Sequence, residues 1–312
     1  MHHPFRKRTI SLCSLLLSIA LFSVACTETS KNFYSEKAKS LVSQVEPETQ
    51  QQLERLNIAV IPHRSSKETE ENIERLGKYL QESLNLPVNI QLTEDYDNSI
   101  ELLVQGKVEM AYLGPFSYVK AKEQNAELEP IVAHLEKSTG RPWYTSTIVV
   151  NIDSEIKTLE DLKGKRFGFV SKSSTSGYLF PAAHLKKNGF NLEQDFTKIN
   201  YAGSHNNNVA QLATGKLDAI AIDKSTYLLA QKAGEISGQK YRMIWESQPI
   251  PNPPMVISSK LPEKFKLDLK KSFINAPYDL FSLVGNQSDG YTLVQDEDYE
   301  SIRQVQQLLN LE

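Results

Sequence analysis

The strongest constraint on this chain is a pattern that it uses twice. Leu103-Val104-Gln105-Gly106-Lys107-Val108-Glu109-Met110-Ala111 is echoed by Leu212-Ala213-Thr214-Gly215-Lys216-Leu217-Asp218-Ala219-Ile220. In each copy a helix-like run stops at Gly-Lys, an acidic residue follows, and a short apolar strand leads into a polar loop. Glycine just past a helix suits the left-handed backbone that closes many helices, and the change of apolar spacing after it marks a strand. The same offset sets Ser117-Tyr118 on Thr226-Tyr227. Two copies of one helix–strand device predict two α/β lobes built on one plan.

Strand and helix signals alternate around both copies. Asn57–Ile61 is a short apolar strand stopped by Pro62, Thr69–Leu84 has helical spacing, Val88–Leu92 alternates, and Tyr96–Val104 reads as a helix before the strand Glu109–Leu113. This βαβαβ order predicts a parallel sheet covered by helices. A second series follows: the strand Ser146–Asn151, a helical turn in Leu159–Lys165, the strand Arg166–Val170, a helix over Tyr178–Lys187, the strand Lys198–Tyr201, a helix over Asn207–Thr214 and the strand Ala219–Ile222. Later signals are a strand at Met255–Ser258 and helices near Glu263–Asn275 and Tyr299–Leu309. Two lobes of ordinary domain size fit the 312 residues. Residues 54–145 with 250–312 make lobe 1, and residues 146–249 make lobe 2. The chain then crosses twice, near Trp143–Ser146 and Ser247–Pro254, and the proline-rich Pro249–Pro254 suits a stiff extended crossing.

The N-terminus has another composition. Arg6-Lys7-Arg8 precedes an apolar run from Ile10 to Ala25, the layout of a secretory signal over residues 1–25. It ends Ser23-Val24-Ala25-Cys26, similar to a bacterial lipoprotein cleavage box, with Ser23 where leucine is usual. Lipidation at Cys26 is therefore expected, with a plain signal-peptidase cut near Ala25 as the alternative. Residues 26–53 read as a polar tether. The two cysteines are Cys13 and Cys26, so the exported chain has no pair for a disulfide or a cysteine metal site. With 40% hydrophobic and 23% charged residues and a net charge of -3, the remainder has the composition of a soluble globular protein. No basic stripe with interleaved aromatics points to nucleic acid.

In open α/β sheets, ligands sit beyond the carboxyl ends of the strands. There the sequence offers Pro62-His63-Arg64-Ser65, Tyr96, Gly114–Tyr118, Ser173-Ser174-Thr175-Ser176-Gly177, Gly203-Ser204-His205-Asn206 and Asp223-Lys224-Ser225. Hydroxyls dominate, an inventory suited to a small anion held by neutral donors. The run Ser174–Ser176 ahead of a helix is either an N-cap in a serine-rich loop or an anion cradle at a helix N-terminus. His205 is placed to donate to an anion or to cap its helix, and Asp223 to orient His205 or to cap its own. Tyr96 and Tyr144 are either buried aromatics or donors. Signatures of a nucleophile elbow, a zinc protease, a Walker loop or a dinucleotide fold are absent, so no catalytic residue, metal or cofactor is expected. A serine hydrolase using Ser174 or Ser176 with His205 is the enzymatic alternative.

These residues together resemble the periplasmic phosphonate/phosphite-binding proteins of ABC importers. The resemblance spans Leu56 to Ser258 and rests on Ser174-Thr175-Ser176-Gly177-Tyr178-Leu179 followed by Pro181, on Ala202-Gly203-Ser204-His205, on Met110–Pro115, and on Tyr144 before Ile148–Asn151. It implies a two-lobed type II periplasmic-binding fold, each lobe a sheet flanked by helices, with ligand in the cleft. It also implies phosphonate oxygens held by Ser174, Thr175 and Ser176, with Tyr96, Tyr144 and His205 as further donors and Asp223 nearby. The implied partners are an ABC permease and ATPase, for a monomeric lipoprotein at the periplasmic or outer face of a membrane. Relatives that take aminoalkylphosphonates carry carboxylates in the segments matching Ser225 and Pro253, and neither is acidic here. Phosphite, phosphate or a short alkylphosphonate is therefore the expected ligand. Another small solute, or a sensing role, is the alternative within the same fold.

Overall fold

The computed structural model describes residues 53–64, 67–136, 139–277, 280 and 288–309. The expected signal segment, Cys26 and nearly all of the tether lie outside the described residues. From Leu56 the chain runs β1 (Leu56–Val60), α1 (Lys67–Leu84), β2 (Val88–Leu92), α2 (Tyr96–Val104), β3 (Met110–Tyr112), α3 (Pro115–Gln124) and β4 (Leu128–Glu136). After the short β5 (Trp143–Tyr144) come β6 (Ser146–Asn151), β7 (Arg166–Phe169), a π-helical turn at Thr175–Leu179, α4 (Phe180–Lys187), β8 (Lys198–Tyr201), α5 (His205–Ala213), β9 (Ala219–Asp223), α6 (Lys224–Lys232) and β10 (Tyr241–Glu246). The chain then makes β11 (Ile250–Pro251), β12 (Pro254–Ser258), α7 (Glu263–Ile274), β13 (Ser288–Leu293) and α8 (Glu300–Leu309).

The strands form two mixed sheets joined by a ribbon. One sheet has the order β13-β4-β12-β3-β1-β2, the other β10-β6-β9-β7-β8, and β5 pairs with β11. Within them, β1 lies parallel to β2 and β3, and β7 parallel to β8 and β9. The fully parallel sheet expected from sequence is thus confined to one trio in each sheet. Parallel neighbours need a crossover that brings the chain back to the same end. The strands β12 and β6 enter directly from the ribbon and run antiparallel to β3 and β9. The strands β4, β10 and β13 and the helix α3 are not announced by the sequence signals, while α6 is the helix that Asp223 was placed to cap.

The repeat in the sequence is a repeat in structure. The helices α2 and α5 each fill nine residues and are each capped by a side chain, Asp95 accepting from Asn98 N–H and Ser204 from Asn207 N–H. Each is closed by a glycine with positive φ, Gly106 at 66° and Gly215 at 69°. This puts Tyr96 and His205 at equivalent first helical positions, with α5 starting two residues earlier than its apolar spacing suggests. Interiors of both sheets are apolar: Leu56, Ile58, Val60 and Met110 are buried in one, Phe167, Phe169, Ile220 and Ile222 in the other. At about 25 cal/mol for each Å² of apolar surface removed from water, such side chains supply the main drive to fold. In the ribbon, Tyr144 stands opposite Ile250 and Trp143 opposite Pro251.

Candidate anion-binding cleft

After Val170 the chain turns through Ser171–Ser173 into a helix that starts earlier than expected. Ser174 is its N-cap, with extended backbone and a hydroxyl accepting from Gly177 N–H at 3.1 Å. Leu179 N–H bonds Ser174 O five residues back at 3.0 Å, the spacing of a π turn, and Val170 N–H bonds Gly177 O at 3.0 Å. The sequence placed the helix from Tyr178. The structure moves its start to Thr175, so Thr175 and Ser176 belong to the first turn. Glycine is required at 177, because a Cβ there would sit 2.4 Å from Val170 Cγ2. Ser173, Ser174, Thr175 and Ser176 are all buried, and a buried hydroxyl run needs partners.

Partners come from α3, from β6 and from the ribbon. Phe116 N–H, in the first turn of α3, donates to Thr175 Oγ1 at 2.8 Å. Ser117 Oγ donates to Ser173 O at 2.8 Å, and Lys120 Nζ to Ser173 Oγ at 2.6 Å. Ser146 Oγ donates to Ser176 O at 2.7 Å. Tyr144 lies against the same turn: burial raises its pKa well above the ordinary tyrosine value, opposed by hydrogen bonding to Ser176 and then Thr175. Tyr96 is 1% exposed, and burial raises its pKa likewise against the pull of Ser174. Tyr96 Oη sits close enough to Ser174 to feel it, yet it makes no hydrogen bond of proper geometry among the described residues.

Beside the hydroxyl turn lies a buried trio of His63, His205 and Asp223. Asp223 Oδ2 is 3.2 Å from His63 Nε2 and 3.1 Å from His205 Nδ1, and the two rings lie 4.3 Å apart. His205 N–H donates to His63 O at 3.0 Å, another bond between segments of the two sheets. Asp223 also caps its own helix, accepting from Thr226 N–H at 2.7 Å and Thr226 Oγ1 at 2.6 Å. Both fates weighed for it from sequence, cap and partner of His205, are realised together. Burial and then His63 push the His205 pKa down to about 3, against the pull of Asp223, so the ring is neutral. Burial opposes ionisation of Asp223, but the two histidines and Thr226 outweigh it and hold its carboxyl well below the usual range. This trio also has the composition of a metal site among the described residues. His205 Nδ1 also lies 3.2 Å from Asp223 N, so both the backbone and the carboxylate of Asp223 face that nitrogen.

All seven site residues singled out in the sequence, Tyr96, Tyr144, Ser174, Thr175, Ser176, His205 and Asp223, meet in this region. Three others reach it unannounced. His63 follows its strand with no local pattern to mark a role. Tyr112, ending β3, carries a buried hydroxyl with no partner among the described residues. Glu136, ending β4, has Oε1 3.2 Å from His134 Nε2 and Oε2 3.4 Å from Ser225 Oγ. Ser225 and Pro253 are neutral, as the sequence has them, and a distant strand brings the carboxylate of Glu136 beside Ser225. The only signal for Glu136 in the sequence was an acid closing an otherwise apolar run. The bonds of His205 run to Asp223 and His63, not to a serine hydroxyl, which leaves the hydrolase alternative without an observation in its favour.

The region thus gathers buried hydroxyls at a helix N-terminus, two tyrosines and a neutral imidazole, a set of neutral donors. A family model described as the periplasmic substrate-binding protein of phosphonate ABC transporters matches residues 58–299. The chain belongs to this family. Its relatives include the phosphate-import protein PhnD of Mycolicibacterium smegmatis, 28% identical over 308 residues and covering 92% of each chain. The phosphonates-binding periplasmic protein of Escherichia coli is 28% identical over 236 residues, 72% of this chain and 67% of that one. Among solved structures, a binding protein of a phosphonate ABC transporter from Pseudomonas aeruginosa superposes with a TM-score of 0.73 at 25% identity, over 81% of this chain and 85% of that one. PhnD1 of Prochlorococcus marinus, solved with methylphosphonate, has a TM-score of 0.73 at 22% identity, over 83% and 99% of the two chains. The fold is that of the type II periplasmic-binding proteins in this family, α/β with mixed sheets flanked by helices.

Proposed function

We propose that this protein captures a small phosphorus oxyanion, namely phosphite, phosphate or a short alkylphosphonate, and hands it to the permease and ATPase of an importer. The observation that carries the reading is the buried Ser174-Thr175-Ser176 turn, whose hydroxyls sit at a helix N-terminus beneath Tyr96 and Tyr144. Unpaired N–H groups and the helix dipole favour an anion there, and exclusion of water strengthens each hydrogen bond to it. Ser174, Thr175, Ser176, Tyr96, Tyr144 and His205 hold the oxygens, while Asp223 keeps His205 oriented and accepts any proton the ligand carries. Residues 54–145 with 250–312 and residues 146–249 act as lobes that open and close about the β5–β11 ribbon. The bonds Phe116–Thr175, Ser117–Ser173 and His205–His63 are the ones made on closing. The protein works outside the cytoplasm as a monomer, tethered through a lipid on Cys26, without cofactor, metal or catalysis. Titration calorimetry with phosphite, phosphate, methylphosphonate and 2-aminoethylphosphonate tests it. Binding of at least one is expected, and silence from all four removes the assignment.

A further inference from the structure

Ser173 stands directly before the cap Ser174, is buried, and has every polar group paired. Its N–H donates to Ser171 Oγ at 3.2 Å within the loop. The other bonds run to α2 and α3, which follow strands of the first sheet. Its O accepts from Ser117 Oγ at 2.8 Å, while its Oγ accepts from Lys120 Nζ at 2.6 Å and donates to Asp97 Oδ1. Lys120 and Asp97 also pair with each other at 3.3 Å, with side chains 31% and 60% exposed. Such an exposed ion pair contributes little by itself. A buried hydroxyl set between the two charges changes that, because it makes one charge-assisted bond to each and is costly to leave unpaired.

The position of this fork matters as much. Asp97 directly follows Tyr96, and Ser173 directly precedes Ser174. The fork therefore spans the gap that Tyr96 and Ser174 span, one residue away on each side. Lys120 and Asp97 both belong to the first half, so their own pair survives when the serine loop withdraws. Donor and acceptor thus wait preformed for one hydroxyl, which lowers the ordering cost each time the halves meet. Withdrawal breaks three bonds at Ser173 together: those to Ser117, Lys120 and Asp97.

We propose that Lys120, with Asp97 beside it, is a positioning residue for capture: it grips Ser173, holds the Tyr96 and Ser174 walls in register, and so sets how slowly a bound oxyanion leaves. This rests on the phosphorus-oxyanion reading of the same site. The test is stopped-flow measurement of association and dissociation rates for phosphite, phosphate and methylphosphonate on the wild type, Ser173→Ala, Lys120→Met, Lys120→Arg and the Ser173→Ala/Lys120→Met double variant. For each ligand that the wild type binds, Ser173→Ala and Lys120→Met are each expected to speed dissociation about tenfold and to change association by no more than about threefold. Lys120→Arg keeps a charged donor and is expected to bring release back to within about threefold of the wild type. The two single changes break one contact, so the double variant should release no more than about threefold faster than the faster single one. Release at the wild-type rate from either single variant overturns the proposal. So does a loss confined to association, the mark of a charge that only steers the anion, or a double variant in which the two effects multiply. In each of these cases binding by the wild type leaves the oxyanion reading standing, whereas a wild type that takes none of the three ligands removes both.

Discussion

The helices α3 and α6 hold equivalent places in the two sheets, directly after β3 and β9, yet their N-termini are finished in opposite ways. Asp223 caps α6 from within, accepting Thr226 N–H at 2.7 Å. At α3 the matching residue is Gly114, which has no side chain to cap with, and Phe116 N–H is satisfied by Thr175 of the other sheet. One half completes its own helix. The other leaves an N-terminus open toward the cleft and borrows its partner from across it. A helix N-terminus carries partial positive charge, so in the proposed function α3 adds a favourable field to an anion at Thr175. Duplicated architecture thus yields one rigid wall, built around Asp223, and one wall whose bonding is complete only when the two halves meet.

The strongest blow to the self-capped wall is Asp223→Ala. It removes a cap and the carboxylate that His63 and His205 share, so a loss of about 2–3 kcal/mol in folding stability is expected by chemical denaturation. A loss below about 1 kcal/mol would show that the trio is not a unit.

A gentler probe of the same wall is pH. His205 is held neutral, with its pKa at about 3 in the fold against an ordinary 6.5, so the unfolded chain binds a proton that the folded chain refuses. Stability from this group is therefore full above pH 6.5 and falls as pH drops toward 3, by up to about 1.4 kcal/mol per pH unit. Asp223, held low, adds a loss in the same direction at still lower pH. Thermal melts between pH 6.5 and 4.5 should decline more shallowly for His205→Asn than for the wild type. Parallel declines would place the titrating group elsewhere.

The open wall is tested by giving it the cap it lacks. A Cβ at Gly114 would lie 3.5 Å from Ser117 Oγ and Thr175 Oγ1, which is ordinary contact, and φ of −62° suits any residue. Gly114→Asp is expected to keep the fold and to weaken methylphosphonate binding about tenfold, since it fills the N-terminus with negative charge. Unchanged affinity would show that the borrowed bond has no part in capture.

These contrasts also mark what a sequence can carry. Gly106 and Gly215, the Ser-Thr-Ser run and the crossing prolines act through local backbone geometry, so their residue types announce them. The start of the helix at Thr175 was missed because it is set by Val170 bonding back to Gly177, a contact that only the folded turn provides. Glu136 and Tyr112 were missed for a tertiary reason. The strand β4 gains its place by pairing with β12 and β13, far along the chain, and only that pairing carries Glu136 to Ser225. Tyr112 looked like any strand aromatic until the ribbon and β12 closed around it.

The most direct test of the account is calorimetric titration of methylphosphonate into the wild type and into Ser176→Ala. Ser176 lies in the first turn of the proposed cradle, so the substitution should remove a donor from the oxyanion. Saturable 1:1 binding to the wild type, weakened at least about tenfold in the variant, is the expected result. Equal affinity in the two proteins would contradict the claim that this hydroxyl turn is where the oxyanion sits.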